Sequence, residues 1–221
     1  MNALPFIHSL QLADSAFPVG SFAYSDGLET AASSGRVHDA ASLGLWMDHF
    51  IEAVFIPCEG LALAQCMLAL REGDVETVRR LDEELSAIRP ASAVRSSSAG
   101  VGKRLLSLYA ALANCENLLK LEHGNAAVAY ALVFFHREIS ERNALLAFGY
   151  NRLAGIVSAG LRLISLGHQQ GQVLLTKTID RLPAAADRIL QMTGEPLRAF
   201  SPALDIQQMN HQYVYSRLFR S

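Results

Sequence analysis

The chain has 221 residues, a formal net charge of −2 and only 18% charged residues, whereas soluble domains average about 25% charged residues. This length suits one domain with a core large enough to need neither a disulfide nor a structural metal. The near-neutral charge, without any run of Lys or Arg, argues against nucleic acid as a partner.

The first predicted element is a short apolar helix that ends near Leu12 and must be covered by something else. Pro18 and Gly20 then predict a rigid bend, because proline fixes φ and glycine adopts conformations closed to other residues. Ser21 is predicted to cap a helix that follows the bend and stops at residues 33–35. The apolar stripe of that helix consists of Phe22, Tyr24, Leu28, Ala31 and Ala32.

The next two helices are predicted to form the middle of the fold. Asp39 suits the N-cap of an amphipathic helix whose polar face includes His49 and Glu52. Pro57 is predicted to end this helix and to start another, over residues 58–71. Because this second helix is apolar nearly all round, we expect it in the centre of the fold.

The rest of the chain also has helical patterns. Asp74 is predicted to cap a charged surface helix, and Ser140 is predicted to cap a long helix. Gly149, Gly155 and Gly160 on the long helix indicate close contact with neighbouring helices. Further helices are predicted over residues 90–112, 126–138, 172–181, 183–190 and 204–211.

The sequence predicts an all-α fold. It shows no sustained alternation of apolar and polar residues, no fixed repeat and no low-complexity linker. We therefore predict a single-domain helical bundle of about nine or ten helices over residues 1–221, with residues 212–221 as a C-terminal tail.

Composition also bears on the compartment. The longest purely apolar run, residues 126–135, is half of the roughly 20 residues that a membrane-spanning helix needs, so no membrane is expected. No basic region precedes the apolar residues at the start, which argues against a secretory signal. The three cysteines show no CxxC spacing and predict buried thiols in a reducing compartment, the cytoplasm.

One stretch invites comparison with a phosphate-binding loop. It is Gly100-Val101-Gly102-Lys103, but the Walker pattern needs a glycine where Ser97 stands and Ser or Thr where Arg104 stands. The stretch also lies in a helical pattern rather than after a strand. We predict close packing at the glycines, exposed Lys103 and Arg104, and no bound nucleotide.

Other candidate sites are also weak. His49 and Glu52 lie on the wet face of their helix, where a solvated pair is expected, and a metal needs three or four ligands. Cys58 and Cys66 lie on an apolar helix, where core packing explains them. No Gly-x-Ser-x-Gly elbow is present. We predict no catalytic residue, no cofactor and no metal site.

The C-terminal tail gives the strongest site-like signal. It combines aromatic, aliphatic and arginine side chains, the types that dominate binding hot spots: Tyr213, Tyr215, Arg217, Leu218, Phe219 and Arg220. The tail is either a mobile end or a segment that docks on a partner, and we favour docking. On this interpretation, removal of residues 215–221 lowers the melting temperature little. The low charge content likewise fits either a large core or apolar surface covered by other proteins.

Two of these stretches together resemble the UreF family of urease accessory proteins. They are the bend from Phe17 to Glu29 and the closing residues from Tyr215 to Ser221. Further family-like stretches occur in the expected order, at residues 10–14, 102–106 and 202–206. The resemblance covers most of the chain.

The resemblance implies a non-enzymatic helical scaffold in urease maturation. UreF proteins form homodimers, bind UreD (also called UreH) and recruit the nickel-carrying GTPase UreG, so that nickel passes to apo-urease. Any nickel role of the chain itself is then indirect. Phe22 and Arg217 match family positions tied to assembly and UreG recruitment, and the family's tail becomes ordered when UreD binds. We expect partner contacts at Phe22, Tyr24, Tyr215, Arg217, Leu218, Phe219 and Arg220. The alternatives are a general helical interaction module unrelated to urease and, behind it, a small-molecule hydrolase.

Overall fold

The computed structural model describes residues 3–115 and 118–220, and these residues confirm the all-α fold. They contain α-helices, one π-helical stretch and short 3₁₀ turns but no strand. The helices are α1 (Ala3–Ala13), α2 (Leu28–Ser33), α3 (Ala40–Phe50), α4 (Leu61–Glu72), α5 (Val75–Ala87), α6 (Ser92–Ala113), α7 (Ala126–His136), α8 (Glu141–Leu163), α9 (His168–Ile179), α10 (Leu182–Gln191) and α11 (Pro202–Asn210).

Helices α3 and α4 are continuous, which the sequence did not predict. A π-helical stretch, Ile51–Gly60, joins them, so the chain is helical from Ala40 to Glu72. The prediction that Pro57 ends a helix is therefore wrong. In an α-helix proline clashes with the carbonyl four residues earlier, whereas the wider π turn accommodates it. The carbonyl of Pro57 accepts a hydrogen bond from the Arg198 amide at 2.9 Å, which ties the π-helical stretch to the connection before α11. With α3 and α4 counted as one, the described residues form ten helices, within the predicted number.

The core is centred on α4 and α7, which pack against each other while α7 also packs on α6. Eight of the eleven residues of α7 are buried, so neighbours surround it on nearly every side. Most of α4 is buried too, which confirms the central place predicted for residues 58–71. Tyr130 of α7 contacts Phe148 of α8, with their ring centroids 5.1 Å apart.

Three of the four predicted N-caps are present, at Asp39, Asp74 and Ser140. The Asp39 carboxylate accepts the Ser42 amide at 2.8 Å, and Asp74 accepts the Thr77 amide at 3.0 Å. Ser140 accepts the amide of residue 143 at 3.4 Å. Hydrogen bonds from the Ser42 side chain and backbone lower the pKa of Asp39. These three helices therefore begin where their sequences predict.

The glycines of α8 divide into two groups. A Cβ on Gly149 would lie 2.8 Å from Leu182, and one on Gly160 would lie 2.6 Å from Leu43, so both allow the close contacts that were predicted. Gly155 is exposed and has nothing within 4 Å of such a Cβ. Its predicted packing role is wrong.

The bend near residue 20 is present, but no single helix follows it. Gly20 has a left-handed backbone with φ of 77°, and Ser21–Ala23 form one 3₁₀ turn without a side-chain cap. Asp26 and Gly27 both have positive φ, at 50° and 90°, which interrupts helical geometry. Helix α2 therefore begins only at Leu28, and Phe22 and Tyr24 lie outside it. This corrects the predicted cap and the predicted continuous stripe.

Two helical stretches, Ala40–Glu72 and Glu141–Leu163, are long and apolar enough to cross a membrane. However, 67% and 50% of their most apolar windows are buried within the fold. A core helix of a folded domain meets the same criterion, so length and hydropathy alone are weak evidence for a membrane span.

Candidate interaction surface

The C-terminal tail folds back onto α2. Glu29 is only 4% exposed, and its carboxylate accepts the amide of Leu218 at 2.5 Å and the amide of Phe219 at 3.3 Å. A carboxylate oxygen of Glu29 also lies 2.7 Å from Nε2 of His211, which is buried as well. Glu29 therefore anchors both ends of the segment from residue 211 to residue 219.

Arg162 of α8 links the tail to the bend. Its guanidinium lies over the Phe219 ring, 4.1 Å from the centroid, and donates a hydrogen bond to the Phe22 carbonyl at 2.9 Å. The Arg220 amide donates to the Ala23 carbonyl at 2.8 Å. The two end motifs, about 195 residues apart in sequence, are therefore neighbours in the fold.

Large side chains around this junction remain exposed. Phe22 is 66% exposed and Leu218 is 67% exposed, while Tyr215 is fully exposed. Arg217 and Arg220 are also exposed, and within the described chain the Arg217 guanidinium has no ion-pair partner. We call Phe22, Tyr213, Tyr215, Arg217 and Leu218 the turn–tail surface.

Two of the predicted contact residues lie inside the chain instead. Phe219 is 4% exposed and belongs to the core. Tyr24 is half-buried and packs against the core, and its hydroxyl would lie 3.2 Å from a Cβ placed on Gly100 of α6. Phe219 is thus packed on the tail's own chain. Glu29 accepts the amides of Leu218 and Phe219 and Arg162 covers the Phe219 ring, so these contacts hold the end of the tail against α2 and α8.

A second feature, a buried ion cluster, lies beneath the bend. Glu59 in the π-helical stretch accepts hydrogen bonds from Arg89 and from Arg152 of α8, both at 2.9 Å. Arg152 also donates to Asp26 at 2.6 Å. Burial lowers the pKa of Arg152, but the carboxylates of Glu59 and Asp26 more than reverse this, and its pKa stays above the usual value. The cluster therefore joins four segments of the chain through hydrogen-bonded ion pairs.

Two small cavities adjoin this cluster. Their volumes are about 50 and 40 Å³, and both are lined by Asp26, Glu59, Arg89 and Arg152. Cavities of this size hold a few water molecules and are far smaller than a pocket for a metabolite or nucleotide. The buried Nη1 of Arg89 has no hydrogen-bond partner within the described residues, and a bound water would satisfy it.

The phosphate-loop-like stretch has a packing role. It lies in α6, where a Cβ on Gly102 would come within 2.0 Å of the Gly124 carbonyl oxygen. The buried carboxylate of Asp82 holds the facing loop by accepting amides of His123, Gly124 and Asn125 at 2.7–2.9 Å. Close packing at Gly102 and exposure of Lys103 are thus confirmed.

His49 and Glu52 are both exposed, as predicted, but each pairs with another part of the fold rather than with the other. Nε2 of His49 lies 2.6 Å from Oγ of Ser201, at the start of α11. Glu52 instead accepts hydrogen bonds from Arg181 at 2.8 Å and Arg188 at 2.9 Å. Both residues therefore connect helices. Cys58 and Cys66 are buried, as predicted, and burial raises the pKa of both thiols.

Further exposed apolar side chains lie outside the predicted contact residues. In α1 these are Leu4, Phe6, Ile7 and Leu10, each between 46% and 61% exposed. Around α11 they are Phe200, Ile206 and Met209, each at least 50% exposed. The sequence of α1 indicates this exposure, because the helix has too many apolar residues to bury all of them on one face. The short α11 carries no comparable pattern.

Comparisons with known proteins agree over most of the chain. A family model described as UreF matches residues 37–178. A protein of Trichormus variabilis, "Urease accessory protein UreF", is 33% identical over 221 residues, which cover 98% of this chain and 96% of that protein. Proteins with the same description from Microcystis aeruginosa and Methylobacillus flagellatus are 35% and 32% identical. Each alignment covers at least 96% of both chains.

Proposed function

The chain belongs to the UreF family of urease accessory proteins, and on that premise we propose that it is a non-enzymatic scaffold for nickel insertion into apo-urease. In this proposal it acts together with UreD (UreH) and recruits the GTPase UreG. The three cysteines are free thiols, which is consistent with a role in the cytoplasm.

The turn–tail surface is the single observation that supports this proposal most. Its members Phe22, Tyr215 and Leu218 expose large apolar side chains next to the free guanidinium of Arg217. Aromatic and arginine side chains are the residue types most enriched at the centres of protein interfaces. An exposed arginine next to them can bind a carboxylate of a partner in a bidentate manner. We therefore assign UreG recruitment to this surface.

Helix α1 supports contact with a further protein chain. Four of its apolar side chains face solvent although the helix packs on α8. Apolar patches of this kind on an otherwise folded domain mark protein interfaces more often than free surface. We propose that UreD or a second copy of this chain covers α1, and that the scaffold works as a homodimer.

Co-expression with UreD and UreG, followed by size-exclusion chromatography, tests the proposal. We expect the wild-type chain to elute with both proteins. Arg217→Ala should leave the melting temperature and the dimer unchanged and should lower the amount of co-eluting UreG. Arg79→Ala is the matched control, because Arg79 is an exposed arginine on the remote helix α5 and pairs only with Glu76 at 3.7 Å.

Two outcomes contradict the proposal. Normal UreG co-elution with Arg217→Ala would remove Arg217 from the interface. If the wild-type chain fails to co-purify with UreD at all, a general helical interaction module becomes the better description.

A further inference from the structure

Four exposed arginines lie around the bend that carries Phe22. They are Arg104 of α6, Arg162 of α8, and Arg217 and Arg220 of the tail. A Cβ placed on Gly20 would lie only 2.7 Å from Nη1 of Arg104, so this guanidinium rests against the bare backbone of the bend. We call these four arginines the arginine border.

The arginine border is assembled by contacts between distant segments. Arg162 donates a hydrogen bond to the Phe22 carbonyl at 2.9 Å, and the amide of Arg220 donates to the Ala23 carbonyl at 2.8 Å. Arg217 lies three residues earlier in the same docked tail. Because the four residues come from two helices and the tail, the sequence shows no basic run that would have revealed them.

The two acidic residues of the bend do not neutralise the arginine border. Asp26 pairs with Arg152 of the buried ion cluster at 2.6 Å. Glu29 is buried and accepts the amides that hold the tail, and it attracts the Arg162 guanidinium only from beyond ion-pair distance. Within the described residues, no carboxylate oxygen lies within 4 Å of a guanidinium nitrogen of the arginine border.

Unpaired arginines at one place indicate the chemistry of what binds there. On another surface of the chain, Arg142 pairs with Asp187 at 2.7 Å, so arginines here do find internal partners. Around the bend the positive charges add to a local positive potential, although the whole chain has a net charge of −2. A guanidinium binds a carboxylate through two parallel hydrogen bonds, and such pairs strengthen where apolar neighbours exclude water.

We propose that the turn–tail surface and the arginine border together bind a carboxylate-rich face of a protein partner. This inference rests on the proposed function, which names UreG as that partner, and it adds Arg104 and Arg162 of the helical body to the contact. A protein fits better than a nucleic acid, because Phe22 and Leu218 add exposed apolar surface beside the arginines. The chain also lacks a run of Lys or Arg that would follow a phosphate backbone.

Charge reversal at Arg104 tests this inference in the complex with UreD. Arg104 makes no hydrogen bond or ion pair within the described part of the chain, so its substitution should leave the melting temperature unchanged. We expect Arg104→Glu to raise the dissociation constant for UreG about tenfold or more, because it places like charges against each other. Arg104→Lys keeps the charge and should lose less affinity. Arg79→Glu, on the remote helix α5, is the matched control and should bind UreG as the wild type does.

Salt provides a second measurement on the wild-type complex. Raising its concentration from about 0.1 M to about 1 M shortens the Debye length from about 10 Å to about 3 Å, and should weaken UreG binding about tenfold or more. Equal affinity at both concentrations would overturn the inference, because contacts between apolar side chains alone do not weaken in salt.

Fluorescein-labelled poly-L-glutamate tests the same surface without UreG. Its fluorescence anisotropy should show binding to the wild-type chain, and Arg104→Glu should raise the dissociation constant about tenfold or more. A labelled single-stranded oligonucleotide should bind no more tightly than in non-specific contacts, at about 10⁻⁴–10⁻⁶ M. A dissociation constant below about 1 μM for the oligonucleotide would overturn the assignment to a protein partner.

The inference and the proposed function can fail separately. If UreG binds the wild type and Arg104→Glu equally well, the arginine border is not part of the contact and the inference is overturned. If UreG does not bind the wild type at all, UreG recruitment is wrong, and poly-L-glutamate then decides. Binding that depends on Arg104 would still support an acidic partner, whereas equal binding by Arg104→Glu, or no binding, would overturn it.

Discussion

Replacement of Phe219 by alanine tests whether the tail is held by its own chain. The ring is 4% exposed and lies beneath Arg162, with 4.1 Å from the guanidinium to the ring centroid. Burial of a phenylalanine side chain stabilises a fold by about 1.5–3 kcal/mol, and a cation–π contact adds about 0.5–1 kcal/mol. We expect Phe219→Ala to lower the free energy of unfolding by about 3 kcal/mol. Because the tail can detach while the rest of the chain stays folded, the loss in the free energy of unfolding cannot exceed the free energy of tail docking.

Thermal and urea unfolding of the isolated chain measure the effect. For a domain of this size, about 3 kcal/mol corresponds to a decrease of about 6–12 °C in melting temperature. Leu218→Ala is the matched control, because the neighbouring Leu218 side chain is 67% exposed. Its substitution should change stability by no more than about 0.5 kcal/mol.

Equal and small effects of the two substitutions would refute this reasoning. They would show that Phe219 does not hold the tail in the isolated chain, and the sequence-based picture of an end that waits for a partner would stand. The structure leads us to expect the opposite, namely that removal of residues 215–221 clearly lowers the melting temperature.

Two further predictions concern the folded body. Gly102→Ala places a Cβ 2.0 Å from a backbone oxygen, and we expect urea unfolding to show a loss of more than about 3 kcal/mol in the free energy of unfolding. Gly155→Ala is the control, because its Cβ would lie in open space on another helix. It should raise the free energy of unfolding by about 0.5–1 kcal/mol. A neutral Gly102→Ala would mean that α6 is not pressed against the facing loop. Glu59→Ala leaves the buried Arg89 uncompensated and should cost about 3–5 kcal/mol. Glu76→Ala, on an 86% exposed side chain, is its control, and similar melting temperatures would contradict the role of the ion cluster.

The parts of the fold that sequence predicted are those set by neighbouring residues. The caps at Asp39, Asp74 and Ser140 each depend on an amide three positions further on. The central helix over residues 58–71 was identified because its sequence is apolar nearly all round. The sequence was misleading at Pro57, where the usual rule for α-helices does not apply to a π turn. It was also misleading at Asp26 and Gly27, whose positive φ values interrupt an apolar stripe that looked continuous.

The candidate site was only half predictable, because its chemistry depends on residues far apart in sequence. The exposed aromatics of the tail could be identified by type, and Phe22 could be identified from the family-like bend. The burial of Phe219 could not be predicted from the sequence, because it requires Glu29 and Arg162 to come together with the tail. The loop contacts of Asp82 were hidden for the same reason, since the amides that it binds lie about 40 residues away.

The docked tail also limits which proteins can use it. A partner that recognises only a released tail must first overcome the docking free energy, and about 3 kcal/mol would weaken its apparent affinity by more than about 100-fold. A partner that recognises the tail in place incurs no such penalty, because Glu29 and Arg162 already hold the backbone in one conformation. Weakening the Phe219 anchor would therefore favour partners that bind the released tail over partners that bind the docked tail.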